Sequence, residues 1–286
     1  MARPSRPLGM DHMEINHIDA NDTHDAGGAS TLRIAVAGGT GTLGRHVVDE
    51  LRARGHNVRV LSRSSAEYPV DLSTGEGLEA ALAGCDVVVD AANSVSPRTM
   101  RATLVDGTKH LVAAERAAGV AHHVCVSIVG CDRVPMPYYK VKVAQENAVM
   151  IGPVPWTIVR ATQFHELIAG VFTATVRARV LLASRNVIMQ PMAAVEAARA
   201  VADAAEADPR HGRIEAAGPE RTDLHALAAT WRATTARRAA LVPAPIPGRM
   251  GRALRAGHLA STHPDARGVV GFAEWLGERS PGGHVA

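Results

Sequence analysis

Lysine is nearly missing from this 286-residue chain, which carries 31 basic residues of which only Lys109, Lys140 and Lys142 are lysines. Cysteine is as scarce, with three in all (Cys85, Cys125, Cys131), too few for a disulfide framework and without metal-ligand spacing. Cys85 adjoins a predicted strand and Cys125 lies in one, so buried thiols in a reducing cytoplasm are expected, with no metal. Long apolar runs are missing too. The first thirty residues have none between their charges, which predicts no secretory leader. The most apolar later window, Leu167 to Leu182, is broken by Arg177 and Arg179, which predicts no membrane span. Charge imbalance is slight, at +3, and gives no argument for a nucleic-acid partner. No internal repeat is present. At this length a core buries enough apolar surface to need no staple.

What the chain does have is rhythm. Residues 1–29 mix Arg, Pro, His, Asp and Gly without periodicity and read as a disordered tail, with His12, His17 and His24 solvated. From Leu32 an apolar run to Ala37 enters a glycine-rich turn. A helix follows with Leu43, Val47, Val48 and Leu51 on one face, then a second strand, Asn57 to Leu61. Strands at 86–91, 122–127 and 156–160 alternate with helices at about 97–118 and 138–150. That alternation predicts an α/β fold, a Rossmann-type doubly wound parallel sheet over residues 30–164. Residues 165–286, where the rhythm loosens, read as a small C-terminal substrate-binding region. Trp156, Trp231 and Trp275 are expected in packing.

The turn reads Gly38-Gly39-Thr40-Gly41-Thr42-Leu43-Gly44. Standing between a strand and a helix, it has the context that makes a glycine pattern informative. Glycines let the backbone approach a pyrophosphate, and the helix N-terminus offers unpaired amides and partial positive charge. An NAD site usually has a carboxylate at the end of the second strand, whereas this chain has Ser62-Arg63-Ser64. An arginine there pairs with a 2′-phosphate. NADP(H) is therefore favoured over NAD(H).

Two of the three tyrosines and two of the three lysines fall in Tyr138-Tyr139-Lys140-Val141-Lys142. Where arginine is used almost everywhere else, a kept lysine points to a compact, rotatable donor. Tyr138 and Lys142 are four apart and share a helix face. Lowering a tyrosine by about two or three pKa units takes on the order of 3–4 kcal/mol. A cation about 4 Å away at an effective dielectric near 20 contributes about that much. Tyr139 is three residues from Lys142, so spacing does not choose between the tyrosines.

With those residues, and with Trp156 to Phe164 and Gly218-Pro219-Glu220, the chain over residues 32–280 resembles the atypical short-chain dehydrogenase/reductases, specifically their NmrA-like NAD(P)H-binding group. The resemblance implies that Asp71 and Leu72 sit near the adenine and that Ala91, Ala92 and Asn93 line the cofactor. It implies Thr162, Gln163 and Phe164 beside the nicotinamide. Ser127, Tyr138 and Lys142 would be the catalytic set: serine orients a substrate oxygen, tyrosine donates the proton, and lysine tunes the tyrosine and holds the ribose. Two functions follow. One is NADPH-dependent hydride transfer to a small, apolar carbonyl, enone or quinone-like substrate by a cytoplasmic monomer or homodimer. The other is a non-catalytic regulator that senses the state of NAD(P)(H). A nucleotide-sugar epimerase would need a longer substrate domain. The arginines at 232, 237, 238, 249, 252 and 255 read either as solvated helix faces or as an anion site.

Overall fold

In the computed structural model, residues 31–176 and 179–279, with Met1, are described. The tail at 1–29 and its three histidines lie outside the described residues apart from Met1.

The core is one seven-stranded sheet. Strands β1 (Arg33–Ala37), β2 (Asn57–Leu61), β3 (Val87–Asp90), β4 (His122–Ile128), β5 (Trp156–Ala161), β8 (Gly212–Ala217) and β11 (Ala266–Arg267) pair in the order β11-β8-β5-β4-β3-β1-β2. Every pairing in it is parallel. Parallel neighbours need crossovers, and those place helices on both faces, which is why the strands read as nearly continuous apolar runs.

Alternation along β1 shows the two faces. Ile34 and Val36 meet helix α1 (Gly44–Ala53) and helix α6 (Ala194–Glu206) on one side. Ala35 and Ala37 meet α2 (Leu78–Leu82) and α3 (Gly107–Ala118) on the other. The stripe of small residues on α6, including Ala197, Ala198 and Ala205, lets that helix lie close against α1 and the sheet. Arg54 at the end of α1 reaches Asp203 and Glu206 of α6, both at 2.7 Å. On the opposite face Glu115 of α3 and His123 of β4 are fully buried and paired at 2.7 Å. Burial alone lowers His123, but the Glu115 carboxylate outweighs it and holds the imidazole well above its ordinary value.

The later chain adds helices α5 (His165–Thr175), α7 (Leu224–Thr234), α8 (Gly248–Arg255) and α9 (Phe272–Glu278). It also adds two small sheets, β6 (Val180–Leu182) with β10 (Ala240–Val242) and β7 (Ile188–Met189) with β9 (Thr222–Asp223). Phe172, Trp231, Phe272, Trp275 and Leu276 form its own core. Trp231 and Trp275 are thus packing residues, and Trp156 is half-buried beside Met150. The sequence reading divides the chain at 164/165. Helix α6 and strands β8 and β11 lie beyond it yet complete the main sheet and its covering layer. All three cysteines are buried as free thiols. No described helix is long and apolar enough to cross a membrane.

Candidate cofactor site

The chain leaves β1 for β2 on one side and returns to β3 on the other, so a crevice opens beyond the carboxyl end of β1. The glycine turn stands there. Gly38 has φ +72°, a left-handed conformation, and a Cβ on it would lie 2.7 Å from Ala92 Cα. A Cβ on Gly44 would lie 2.1 Å from the Gly38 carbonyl oxygen. The turn is pinned by Gly38 N–H to Leu61 O at 3.0 Å and Gly41 N–H to Gly38 O at 2.9 Å. Among the described residues, the amides of Thr40, Thr42 and Leu43 donate to no protein acceptor. The first turn of α1 has no acidic residue. Open amides at a helix N-terminus without a competing carboxylate fit a dinucleotide's pyrophosphate.

At the end of β2, Ser62 and Ser64 hydroxyls are 3.3 Å apart and Arg63 is exposed between them. Asp71 accepts from the Ser73 hydroxyl at 2.6 Å and the Ser73 amide at 2.9 Å. Those bonds, with the charge of nearby Arg63, hold its carboxyl below the ordinary range. The Leu72 carbonyl is bonded to His110 Nδ1 at 2.9 Å.

Past β3, Ala91 and Ala92 run against the glycine turn and Asn93 follows them, with Ala91 N–H on Ala37 O at 3.0 Å. Asp90, buried beneath them, accepts from the Ala92 amide at 3.1 Å, the Thr108 hydroxyl at 2.8 Å and Gln145 Nε2 at 2.9 Å. Gln145 and Lys142 both lie on α4 (Pro137–Met150), and Lys142 Nζ donates to Gln145 Oε1 and, at 2.8 Å, to Val126 O. Lys142 is therefore buried and engaged below the surface. Tyr138 is half-buried and donates to Asn93 Oδ1 at 2.8 Å. Burial raises its pKa, only partly offset by that bond, so the lowering expected from a Tyr138–Lys142 pair is not what this arrangement produces. Tyr139 is buried among apolar side chains and its phenol is pushed up to about 12, chiefly by burial. The two tyrosines differ in surroundings where spacing could not separate them: only Tyr138 reaches the loop beyond β3.

Ser127 occupies the carboxyl end of β4, but its hydroxyl donates to Glu146 Oε1 at 2.6 Å. Glu146 is almost fully buried and takes Arg160 Nε at 2.8 Å, Arg160 Nη2 at 2.7 Å and Arg213 Nε at 3.0 Å. Burial on its own raises this carboxyl, and the hydrogen bonds from Arg160, Ser127 and Arg213 outweigh it to leave the pKa lowered. Glu146, Arg160, Gln145 and Asp90 were not singled out in the sequence. After β5, Thr162 and Gln163 are buried and Phe164 half-buried. The Thr162 hydroxyl accepts from the Gly218 amide at 3.3 Å, and Gln163 Nε2 donates to Leu259 O at 3.0 Å, so both are tied to the later chain. Asp90, His123 and Cys125 bring metal-ligand atom types within 4.8 Å. Asp90 already accepts three hydrogen bonds and burial keeps the Cys125 thiol protonated, so these groups serve the core.

A family model for NAD(P)H-binding proteins matches residues 38–180, half of the chain, starting at the first glycine of the turn. The chain belongs to that NAD(P)H-binding family. This NAD(P)H-binding protein is 30% identical over 153 residues to a photosystem II assembly factor, Ycf39, from Synechocystis sp., covering 49% of the present chain and 47% of the relative. It is 37% identical over 111 residues to a 4-hydroxy-2-methyl-3-oxo-4-farnesyl-3,4-dihydroquinoline-1-oxide ketoreductase from Stigmatella aurantiaca, covering 34% and 33%. The chain thus spans about half or less of the length of the curated relatives it matches. Its fold is similar to an NADPH-dependent quinone oxidoreductase from Escherichia coli solved with NADPH, with TM-score 0.72 and 16% identity over 86% of this chain and 99% of that one.

Proposed function

We propose that the protein is an NADPH-dependent reductase of a small, apolar carbonyl, enone or quinone-like compound. The observation that carries this reading is the meeting of Tyr138 and Asn93 at the carboxyl edge, on the loop that packs against the glycine turn. When bound, the reduced nicotinamide supplies the hydride. The chain's part is to hold the pyrophosphate on the open amides before α1, to meet a 2′-phosphate with Arg63, and to present a proton. The phenol is protonated at neutral pH, as any tyrosine is, and could give that proton to a developing alkoxide, although burial makes it the weaker acid until cofactor and substrate are bound. The phenol's proton rests on Asn93 Oδ1, and an arriving substrate oxygen would have to take it over from that exposed partner. Lys142, through Gln145 and Asp90, would position the loop rather than tune the phenol. The partly buried apolar side chains of Met136, Met189, Leu224, Ile246 and Met250, which pack on the same apolar cluster as the two tyrosines, favour an apolar substrate.

Turnover with NADPH across a panel of quinones, enones and ketones tests this directly. Tyr138→Phe should lower kcat about 100-fold or more while leaving the NADPH Kd within about twofold. An unchanged kcat would sink the role given to Tyr138.

One observation favours a second reading, a non-catalytic sensor of NAD(P)(H). The Ser127 hydroxyl proton is committed to buried Glu146, so the serine expected to orient a substrate oxygen is held elsewhere. Binding of both redox forms with no NADPH consumption over the whole panel would favour it.

A further inference from the structure

The function above leaves one set of charges unused. An open cavity of about 540 Å³ lies between the turn after β4, helix α4 and helix α8. Four cations from these three elements line it: Arg133, Lys140, Arg249 and Arg252. Its one acid, Asp132, is engaged by Arg160 at 3.2 Å. Among the described residues, the side chains of Lys140, Arg249 and Arg252 have neither a hydrogen bond nor an ion pair. Arg133 makes only a long contact, 3.4 Å, to the His258 carbonyl.

The placement follows from helix geometry. Arg249 and Arg252 are three apart, so they share one face of α8. Lys140 and Val143 are likewise three apart on α4, turned away from the side on which Lys142 and Gln145 reach toward Asp90. Four like charges lining one cavity repel one another, the single acid there being shared with Arg160, and a dense oxyanion relieves that repulsion. Val134, Pro135, Val143 and Ala253 supply apolar wall between the cations.

We propose that this cavity is a second binding site, separate from the glycine turn, for a phosphorylated small molecule. Four cations call for more than one negative charge, and a phosphoryl or diphosphoryl group presents its oxygens in several directions at once. The lining arginines and lysine are exposed, so charge removal there leaves the core intact.

The test is calorimetric titration of the full chain with inorganic pyrophosphate, comparing wild type with a Lys140→Gln/Arg249→Gln/Arg252→Gln variant, each also titrated with NADPH by fluorescence. The expected result is wild-type binding that weakens as salt rises and falls about tenfold or more in the variant, the sum of a few exposed charge contacts. NADPH affinity should be the same in both proteins. Pyrophosphate bound equally by both would place it elsewhere, at the glycine turn for example, and would overturn the proposal, as would no binding by wild type. If neither protein binds NADPH, the cofactor reading fails on its own while the pyrophosphate comparison still decides this site. A single Lys140→Glu variant supplies a second check, since a reversed charge in the cavity should weaken pyrophosphate further than Lys140→Gln alone.

Discussion

The glycine turn and the first turns of α4 stand at the same edge of the sheet, yet they treat their polar groups in opposite ways. At the turn, the backbone is held by a few bonds and the amides of Thr40, Thr42 and Leu43 are left open. Along α4, Lys142, Gln145 and Glu146 are each tied to partners in the core. Open donors at a helix N-terminus await an anion. A buried network with every member satisfied makes its helix rigid. The one side chain of α4 that faces outward toward the turn's neighbour, Tyr138, is thereby carried on an immobile base.

The largest expected effect comes from breaking the open half of that contrast. In Gly44→Ala the new Cβ would sit 2.1 Å from the Gly38 carbonyl oxygen, a backbone atom that cannot step aside without unmaking the turn. NADPH binding should fall below detection by fluorescence titration, with overpacking costing about 1–3 kcal/mol of stability in a urea melt. A variant that bound NADPH normally would show that the turn is not the pyrophosphate seat.

The satisfied half breaks differently, in stability first. Glu146→Ala strips buried Arg160 of its carboxylate, and losing one partner of a buried pair costs about 3–5 kcal/mol. Its pH dependence has a definite sign. Glu146 has a folded pKa below its ordinary value near 4.5, so its contribution is present above that value and is lost as pH falls through the folded one. Urea midpoints of wild type and Glu146→Gln should therefore differ most near neutral pH and converge as the pH falls below the folded pKa. A gap that stayed constant would mean that the carboxylate's charge is not what the network uses.

The same contrast explains what could be read from the chain alone. The glycine turn was legible because a left-handed φ at Gly38 and a backbone approach at Gly44 admit few residue types, so the constraint is written locally. The strands of the sheet were legible because burial on both faces leaves a continuous apolar run. The α4 network was not, because its bonds join residues far apart in sequence: Gln145 to Asp90 across 55 positions, Ser127 to Glu146 across 19. A signal existed in Arg160, a charge inside an otherwise apolar strand that calls for a buried partner. The spacing of Tyr138 and Lys142 was real, but a shared face does not fix where a long side chain ends. The part that α6 and β8 play in the main sheet was hidden for a related reason. The loops and short strands between α5 and α6 interrupt the rhythm, and the alternation of helix and strand resumes at α6 and β8.

The finest comparison lies within the open half, between Arg63 and Asp71, and it carries the smallest expected effect. Arg63 is exposed at the end of β2, the position from which a 2′-phosphate would be met. Asp71 is close enough for the arginine's charge to help lower its pKa, and as a carboxylate it works against that phosphate. Ser73 holds the carboxylate by two hydrogen bonds, which fixes its direction, while the arginine is exposed. Cofactor preference then rests on one exposed, charge-assisted contact set against one opposing charge. Arg63→Ala should weaken NADPH about tenfold and leave NADH nearly unchanged, so the preference for NADPH, the NADH Kd divided by the NADPH Kd, falls by that factor. The loss should shrink at high salt, where the contact is screened in wild type as well. Asp71→Asn should move the ratio the other way by a smaller factor, because the Ser73 bonds survive in weakened form. If both variants kept the wild-type ratio, the end of β2 would not be where this protein tells the two cofactors apart.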